Sequence, residues 1–318
     1  MEAVIFSDIH LHIWKSHNRK NQRLRMQLDA YRTVLQVAMK YDVPLLFGGD
    51  IFHTPSGLSN ELLSLALPEL LELYRVYPVP TYAISGNHDQ EGINSMNRRS
   101  PSYINTLANS IKHFHVIDFE TRDLGNIVVH GIPYINYNQG YEEVIEMIDI
   151  VPGKYNILMN HADYKGQKDV NGVVIGKGEN INENNLAKFD LVLSGHVHKA
   201  GWVRNNILSI GAPMAQRLSD MGGEFGYWTL KHGFKLKFHN LALPNFRYYE
   251  DESEIDNDTD YWIKKPKEVV VDENEMVINP KDLGDKMALI KQYCKTMNIK
   301  SRTKRVLLQR LIHGSHDD

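Results

Sequence analysis

The chain has 318 residues, of which 42% are hydrophobic, and a formal net charge of −3 at pH 7. This length allows a large core in one main domain with a smaller appendage, and the net charge does not indicate a nucleic-acid binder. The single cysteine, Cys294, excludes an intrachain disulfide and indicates a reducing compartment. There is no secretion signal and no apolar stretch that could span a bilayer, so we expect a cytoplasmic protein without a membrane anchor.

Short apolar runs alternate with helical patterns along most of the chain. Residues 3–8 and 43–50 are predicted to be buried strands, and residues 28–42 and 59–77 are predicted to be helices. The strand pattern, an apolar run that ends in polar residues, recurs in "VPTYAISGNHD", "NIVVHGIPYI", "YNILMNHAD" and "FDLVLSGHVH". This alternation predicts an α/β core with helices on both faces.

Polar clusters follow five of the predicted strands, at the ends where α/β folds bind ligands. The clusters are Asp8-Ile9-His10, Gly49-Asp50, Asn87-His88-Asp89, His161 and His196-Val197-His198. Each cluster alone has a plainer interpretation as a helix cap, a turn or a structural histidine. Together they offer nitrogen and oxygen ligands without a thiolate. That set suits a two-metal site and favours Mn²⁺ or Fe²⁺ over a structural zinc cage.

The spacing within the clusters indicates how they could reach one place. Alternation along an extended segment would put Asp8 and His10 on one side, and would do the same for His196 and His198. The Asp50 carboxylate can bridge two ions because it offers one oxygen to each. Paired divalent ions can clamp a phosphoryl group and activate water, so the clusters predict phosphoester hydrolysis.

His88 lies between two candidate site residues and is predicted to face the substrate. Its role would be that of a general acid that protonates the leaving alkoxide, which typically contributes ~10²–10⁴-fold. Asp89 is expected to fix the tautomer of His88 and to raise the basicity of its imidazole.

The ordered motifs resemble those of the calcineurin-like metallophosphoesterases over roughly residues 3–230. The matching motifs are "SDIH", "GGD", "SGNHD", His161 and "SGHVH". The resemblance implies an α/β fold made of a two-sheet sandwich flanked by helices, with a small C-terminal cap region and a helical tail. It also implies two metal sites that share one aspartate: Asp8, His10, Asp50 and His198 for one ion, and Asp50, Asn87, His161 and His196 for the other.

The second motif, "GDIFHTPSGLS", resembles that of the double-strand-break repair nucleases of the SbcD type and their phage counterparts. This resemblance implies a Mn²⁺-dependent DNA exonuclease and endonuclease of a repair and recombination complex, in the cytoplasm of a bacterium or a phage-infected host. It implies that His53 helps to orient the DNA backbone; a helix-start residue that faces water is the plainer interpretation. The arginine that protein phosphatases carry after this motif is missing, which counts against that class.

A basic stretch follows the first motif, over residues 13–25. A flexible cationic loop there could hold phosphates without reading sequence, and a solvated loop is the alternative. The candidate DNA contacts are Lys15, Arg19, Lys20, Arg23 and Arg25, with Arg98 and Arg99 as further candidates after the third motif.

We expect three parts: a nuclease domain over 1–245, an acidic linker and small capping segment over 246–279, and a basic helical region over 280–318. In the related nucleases, C-terminal helices grip the coiled coil of an SbcC-type ABC ATPase. The resemblance therefore implies such a partner for 280–318, the alternative being two helices packed on their own domain. It also implies a homodimer, for which helices within 59–75 and 102–115 are the candidates.

Two other functions stay open at this point. A small-molecule phosphodiesterase or phosphatase would use the same metals and would hydrolyse nucleotides or chromogenic phosphodiesters without a preference for DNA. A binding scaffold that has lost catalysis is the other, and the complete set of candidate ligands together with His88 counts against it.

Overall fold

The structure is a computed structural model, and it describes residues 1–13, 22–53, 58–92, 100–135, 140–175, 181–217, 220–244, 246–254 and 261–264. These residues belong to one compact unit, Met1–Lys265. Several sequence predictions lie outside the described residues, namely those for 280–318, Lys15, Arg19, Lys20, Arg98 and Arg99.

Strands and helices alternate through the described part of the chain. The strands are β1 (Ala3–Phe6), β2 (Leu45–Phe47), β3 (Thr81–Ala83), β4 (Phe114–Val116), β5 (Thr121–Asp123), β6 (Ile127–Ile132), β7 (Tyr155–His161), β8 (Leu191–Gly195), β9 (Gly201–Arg204), β10 (Ile207–Ser209), β11 (Gly226–Leu230), β12 (Leu236–Asn240), β13 (Phe246–Tyr249) and β14 (Tyr261–Lys264). The α-helices are α1 (Gln22–Tyr41), α2 (Asn60–Val76), α3 (Ile104–Ser110), α4 (Tyr141–Glu146) and α5 (Glu183–Leu186).

Most of these strands form two six-stranded sheets. The first sheet has the order β12-β11-β1-β2-β3-β4, and the second has the order β5-β6-β7-β8-β10-β9. Strands β1 to β4 are parallel, as are β6, β7, β8 and β10, whereas β5, β9, β11 and β12 pair antiparallel with their neighbours. The carboxyl ends of the parallel strands therefore share one edge of each sheet. Strands β13 and β14 form a separate parallel pair.

The two sheets pack face to face through apolar side chains. Ile5 of β1 and Leu46 of β2 belong to the same buried cluster as Val129 of β6 and Met159 of β7. The other face of the first sheet packs against α1, α2 and α3, and that of the second packs against α4 and α5. Successive residues of one strand thus enter different cores. The expected two-sheet α/β sandwich flanked by helices is confirmed.

Helix α1 begins earlier than the sequence analysis predicted. It starts at Gln22 rather than at residue 28, so Arg23 and Arg25 lie in its first turn instead of in a flexible loop. The apolar spacing that buries one face of the helix already begins at Leu24. Neither α1 nor any other described helix is long and apolar enough to cross a membrane.

A chain of buried hydroxyl groups links α1, α2 and β3. The hydroxyls of Tyr31 and Tyr74 are 2.7 Å apart, and Tyr74 donates to Oγ1 of Thr81 at 2.7 Å. Thr81 donates in turn to the carbonyl of Val79 at 3.3 Å. Burial raises the pKa of both phenols above the usual value, so they stay neutral donors.

Replacing Tyr74 by phenylalanine should destabilise the fold, because the Tyr31 hydroxyl loses its acceptor and Thr81 loses its donor. We expect the free energy of unfolding in urea to fall by about 1–3 kcal/mol. Tyr77→Phe is the control, since this hydroxyl only accepts a hydrogen bond from Gln36 near the surface. Equal denaturation midpoints for the two variants would contradict the prediction.

Candidate metal centre

The candidate metal ligands lie where parallel strands of both sheets end. Asp8 and His10 follow β1, Asp50 follows β2, His161 is the last residue of β7, and His196 follows β8. The other two candidate ligands come from the loops after β3 and β8, namely Asn87 and His198. The structure therefore brings all seven residues to the same edge of the sandwich.

Asp8, His10 and His198 form a first group of donor atoms. One ligand atom from each of them lies within 4.8 Å of the others. The Nε2 atom of His10 is 3.8 Å from Oδ1 of Asp8 and 3.2 Å from Nε2 of His198. Asp8 and His10 are buried, and His198 is half-buried at the mouth of the site.

Asp50, His161 and His196 form a second group. The Oδ2 atom of Asp50 is 3.3 Å from Nε2 of His161. The side-chain oxygen of Asn87 is 3.0 Å from Nε2 of His161 and 3.0 Å from Nδ1 of His196. The same Oδ2 of Asp50 is also 3.6 Å from Nε2 of His10 in the first group. The Asp50 carboxylate thus lies between the two groups, where a bridging ligand belongs.

Hydrogen bonds on the far side of two rings determine which nitrogen faces the centre. Nδ1 of His161 donates to the carbonyl of Gly48 at 2.8 Å, and Nδ1 of His198 donates to Oδ2 of Asp220 at 2.8 Å. In a neutral imidazole, the Nε2 atom then presents a lone pair to the centre. Lone pairs that face one another repel unless a cation lies between them, so the donor set fits a pair of divalent ions.

The charges inside the centre also favour a cation. Burial disfavours the ionised carboxylate of Asp50, but the neighbouring His161 and His10 outweigh burial and hold its pKa well below the usual value. Burial likewise disfavours protonated His161, yet the carboxylates of Asp50 and Asp8 raise its pKa to about 9. Without metal, a proton would therefore occupy the position where these carboxylates stabilise positive charge. Burial raises the pKa of Asp8 to about 6.

Four candidate ligands have a left-handed backbone conformation. The φ angles of Asp8, His10, Asp50 and His196 are 52°, 48°, 58° and 82°, in a region that costs non-glycine residues about 1–3 kcal/mol each. The extended geometry expected for the Asp8–His10 and His196–His198 pairs is therefore wrong. Turns of the backbone direct these side chains into the centre. The first turn is held by two hydrogen bonds to the loop after β2, in which the N–H groups of Asp8 and His10 donate to carbonyl oxygens at 3.0 Å each.

Glycines make room for the ligands at two strand ends. A Cβ atom on Gly86 would lie 2.1 Å from Oδ1 of Asp50. A Cβ atom on Gly195 would lie 2.3 Å from the carbonyl oxygen of Gly48 and 2.7 Å from Nδ1 of His161. The glycines of "SGNHD" and "SGHVH" thus allow segments from different strands to approach one another.

His88 and His53 lie beside the first group. The ring of His88 contacts His10 edge-on, with centroids 4.9 Å apart, and stacks on His53 at 5.5 Å. Nδ1 of His88 donates to the backbone carbonyl of His53 at 2.5 Å. The Nε2 atom of His88 is therefore left for the substrate side. Ligand atoms of His10, His53 and His88 also lie within 4.8 Å of one another.

Asp89 does not orient His88, which corrects the expectation from the sequence. Its carboxylate accepts hydrogen bonds at 2.7, 3.0, 3.4 and 2.9 Å from the backbone N–H groups of Asp50, Ile51, Phe52 and Gly86. Buried N–H groups of a loop need an acceptor, and Asp89 supplies it. Asp89 therefore fixes the loop that carries Asp50, while the carbonyl of His53 holds the ring of His88.

Arg23 is buried and is not available to DNA, which corrects a second expectation. Only 1% of its surface is exposed, and its guanidinium donates to Nε2 of His12 at 2.9 Å and to Oε1 of Gln216 at 3.1 Å. It also donates to the carbonyl of Ala215 at 2.5 Å. Arg25, in the same helical turn, is exposed and stays a candidate for a phosphate contact.

The sequence analysis missed the residues that hold the ligands in place. Asp220 is bonded to His198, and its Oδ2 atom accepts the backbone N–H of Gln216 at 2.9 Å. The side chains of Gln216 and Gln27 donate to backbone carbonyls within residues 8–10. In the sequence, Gln216 and Asp220 belong to the run "QRLSD" after β10, which matches none of the metal motifs and so did not mark them as site residues.

Comparisons with known proteins identify the family. The model of the calcineurin-like phosphoesterases matches residues 1–200, a range that contains every candidate ligand, and the chain belongs to this family. Enzymes of the family are hydrolases that use two divalent metal ions, and the two groups of ligands agree with this.

Two curated relatives are named as the SbcD component of the nuclease SbcCD. The protein from Staphylococcus epidermidis is 26% identical over 205 residues, which cover 58% of this chain and 54% of that protein. The protein from Staphylococcus saprophyticus is 25% identical over 209 residues, which cover 56% and 52%. The chain spans about half the length of the curated relatives it matches.

Solved structures resemble the chain only distantly. A dimetal phosphatase from Danio rerio has a TM-score of 0.46 at 9% identity, over 71% of this chain and 90% of that one. GAP50, the anchor in the inner membrane complex of Plasmodium, has a TM-score of 0.40 at 14% identity, over 71% and 79%.

Replacing Gly86 by alanine should displace the Asp50 carboxylate, because the new Cβ would lie 2.1 Å from its Oδ1 atom. We expect fewer than two bound metal ions per chain and an about 100-fold loss of hydrolysis of bis(4-nitrophenyl) phosphate. Metal content by mass spectrometry and turnover check this. Gly92→Ala is the control, since among the described residues its Cβ would approach Oγ of Ser100, at 3.2 Å, and no ligand. Full metal content and turnover in G86A would contradict the prediction.

Replacing Asp220 by asparagine should weaken metal binding through His198, because a neutral amide makes the imidazole less basic. Loss of such a partner typically reduces metal affinity about 10–100-fold, which a calorimetric titration with Mn²⁺ measures. Asp190→Asn is the control, since that carboxylate accepts the N–H of Asn156 at the opposite end of the strands. Wild-type affinity for both ions in D220N would refute the role of Asp220.

Proposed function

We propose that the chain is a Mn²⁺-dependent DNA nuclease, with exonuclease and endonuclease activity, that hydrolyses phosphodiesters with two metal ions. The observation that carries the proposal is the pair of buried nitrogen and oxygen groups that share Asp50, with His88 and His53 at their side. The likeness to the two SbcD proteins supports DNA as the substrate, and a repair or recombination complex as the setting.

The candidate ligands would divide between two ions. One ion would be held by Asp8, His10, Asp50 and His198, and the other by Asp50, Asn87, His161 and His196. When bound, paired divalent ions neutralise charge on the phosphoryl oxygens and provide a nucleophile at neutral pH. Imidazole, carboxylate and amide ligands without a thiolate suit Mn²⁺.

His88 would act as the general acid for the leaving sugar oxygen. Its Nδ1 proton is committed to the carbonyl of His53, so the Nε2 atom is the one that can deliver a proton to the substrate. The ring of His53, stacked at an interplanar angle of 13°, restricts rotation of His88 and would help to place the DNA strand. Asp89 contributes indirectly, because it fixes the backbone on which Asp50 and His53 are carried.

Cleavage of an end-labelled linear duplex in the presence of Mn²⁺ tests the proposal. We expect His88→Ala to lose about 100-fold or more of the cleavage rate while it still binds two ions, because His88 lies outside both ligand groups. His232→Ala is the matched control, since this histidine is exposed and bonds Glu2 at the start of β1, at the opposite end of the strand from the ligands. Unchanged cleavage by H88A would remove its catalytic role.

Other outcomes would favour the other functions. Hydrolysis of bis(4-nitrophenyl) phosphate without cleavage of duplex or single-stranded DNA would favour a small-molecule phosphodiesterase. A wild-type chain that binds no metal and hydrolyses neither substrate would favour a binding scaffold.

We also propose a homodimer and a partnership of residues 280–318 with a coiled-coil ABC ATPase. The support is the family resemblance and the names of the two relatives, each of which is one component of a complex. On helix α2, one of the two candidates for the dimer contact, Leu65, Leu71 and Val76 are exposed.

A further inference from the structure

A groove of about 280 Å³ begins one residue after the candidate ligand His198. One wall is formed by residues 166–168, which follow β7, and the other by residues 199–203, which lead into and form most of β9. The groove and the candidate ligand His198 therefore share one short segment of the chain.

The groove is a fixed part of the fold. The guanidinium of Arg204 donates to the carbonyl of Lys165 at 3.1 Å, which ties the two walls together. Strand β9 pairs with β10, and the N–H of Ala212, just beyond β10, donates to the carbonyl of His198 at 3.0 Å. Strand β10 and the residue Ala212 that follows it thus support both the groove wall and the segment that carries His198.

The lining combines a large aromatic surface with positive charge. The indole of Trp202, a large aromatic surface, is 56% exposed. Lys168 and Lys199 are exposed beside it, and none of the described residues that line the groove is acidic. The surface is thus complementary to a polyanion that carries flat apolar groups.

Single-stranded nucleic acid has this chemistry. Unpaired bases stack on aromatic side chains, and the phosphates between them pair with lysine and arginine. A continuous duplex is a poorer fit for the groove, because its bases are stacked on one another and offer no free face to an indole.

We propose that Trp202, Lys168 and Lys199 form a subsite for an unpaired end of the DNA substrate. A base stacks on Trp202, and the adjoining phosphates contact the two lysines. The inference rests on the proposed nuclease function and specifies which part of the substrate the chain recognises.

The position of the subsite limits which base it takes. Trp202 follows His198 by four positions in the chain, so their Cα atoms are at most about 14 Å apart. The stacked base therefore lies within a few nucleotides of the phosphate at the metal centre.

Binding of two DNAs, measured by fluorescence anisotropy without added metal so that neither is cleaved, tests the subsite. One is a blunt duplex and the other carries a four-nucleotide overhang. We expect Trp202→Ala to bind the overhang about tenfold more weakly and the blunt duplex less than twofold more weakly. Trp202→Phe should keep most of the affinity, because it keeps an aromatic face. Met147→Ala, at a methionine that is 68% exposed, is the control.

The salt dependence of DNA binding tests the phosphate contact of Lys168. Lys168→Gln should reduce the dependence of overhang binding on salt concentration by about one phosphate contact, and Lys231→Gln, at an exposed lysine after β11, should not. An unchanged salt dependence in K168Q would overturn the phosphate contact.

Binding and cleavage by the wild-type chain show whether a negative result overturns only the subsite or also the proposed nuclease function. If the wild type cleaves DNA but W202A binds the overhang as tightly as the wild type, or loses affinity equally for both DNAs, only the subsite is overturned. If the wild type neither binds nor cleaves DNA, both proposals are overturned.

Discussion

The structure depends on the burial of negative charge at Asp8 and Asp50, which have almost no exposed surface. A buried carboxylate is costly unless other groups compensate its charge. Backbone N–H groups supply part of the compensation: that of His196 donates to Asp8 at 3.1 Å, and that of His88 donates to Asp50 at 2.8 Å. The rest comes from positive charge at the imidazole rings, carried by a proton on His161 or by metal ions held between the rings. Many acceptor side chains can converge here only because the backbone makes left-handed turns and glycines at the strand ends allow close approach.

A network of buried hydrogen bonds connects the metal centre to the rest of the fold. The Arg23 guanidinium binds His12 and the segment that contains Gln216, and Gln216 binds both the Asp8 loop and Asp220. The start of α1, the loop after β1 and the turn before β11 are thereby joined, although they are far apart in the chain. The network is buried, so water does not readily replace a lost partner.

The sequence could predict the fold class and the convergence of the clusters, because each follows a strand and all parallel strands end at one edge. It could not predict that Asp89 holds a backbone loop or that Asp220 holds His198, since such bonds join segments that only tertiary packing brings together. Strand alternation failed for Asp8 and His10 because the tight turn that aims them departs from the local pattern. The first turn of α1 was missed because charged residues outnumber apolar ones before residue 28, so the helical spacing that begins at Leu24 was not evident.

The position of Asp50 has a thermodynamic consequence for the whole centre. One carboxylate oxygen lies 3.3 Å from a ligand atom of one group and 3.6 Å from a ligand atom of the other. An ion in either group changes the charge that this oxygen offers to its neighbour, so the two occupancies are linked. By reciprocity, each ion alters the affinity for the other by the same factor. Two ions held here would therefore bind as a coupled pair, which a single dissociation constant would not describe.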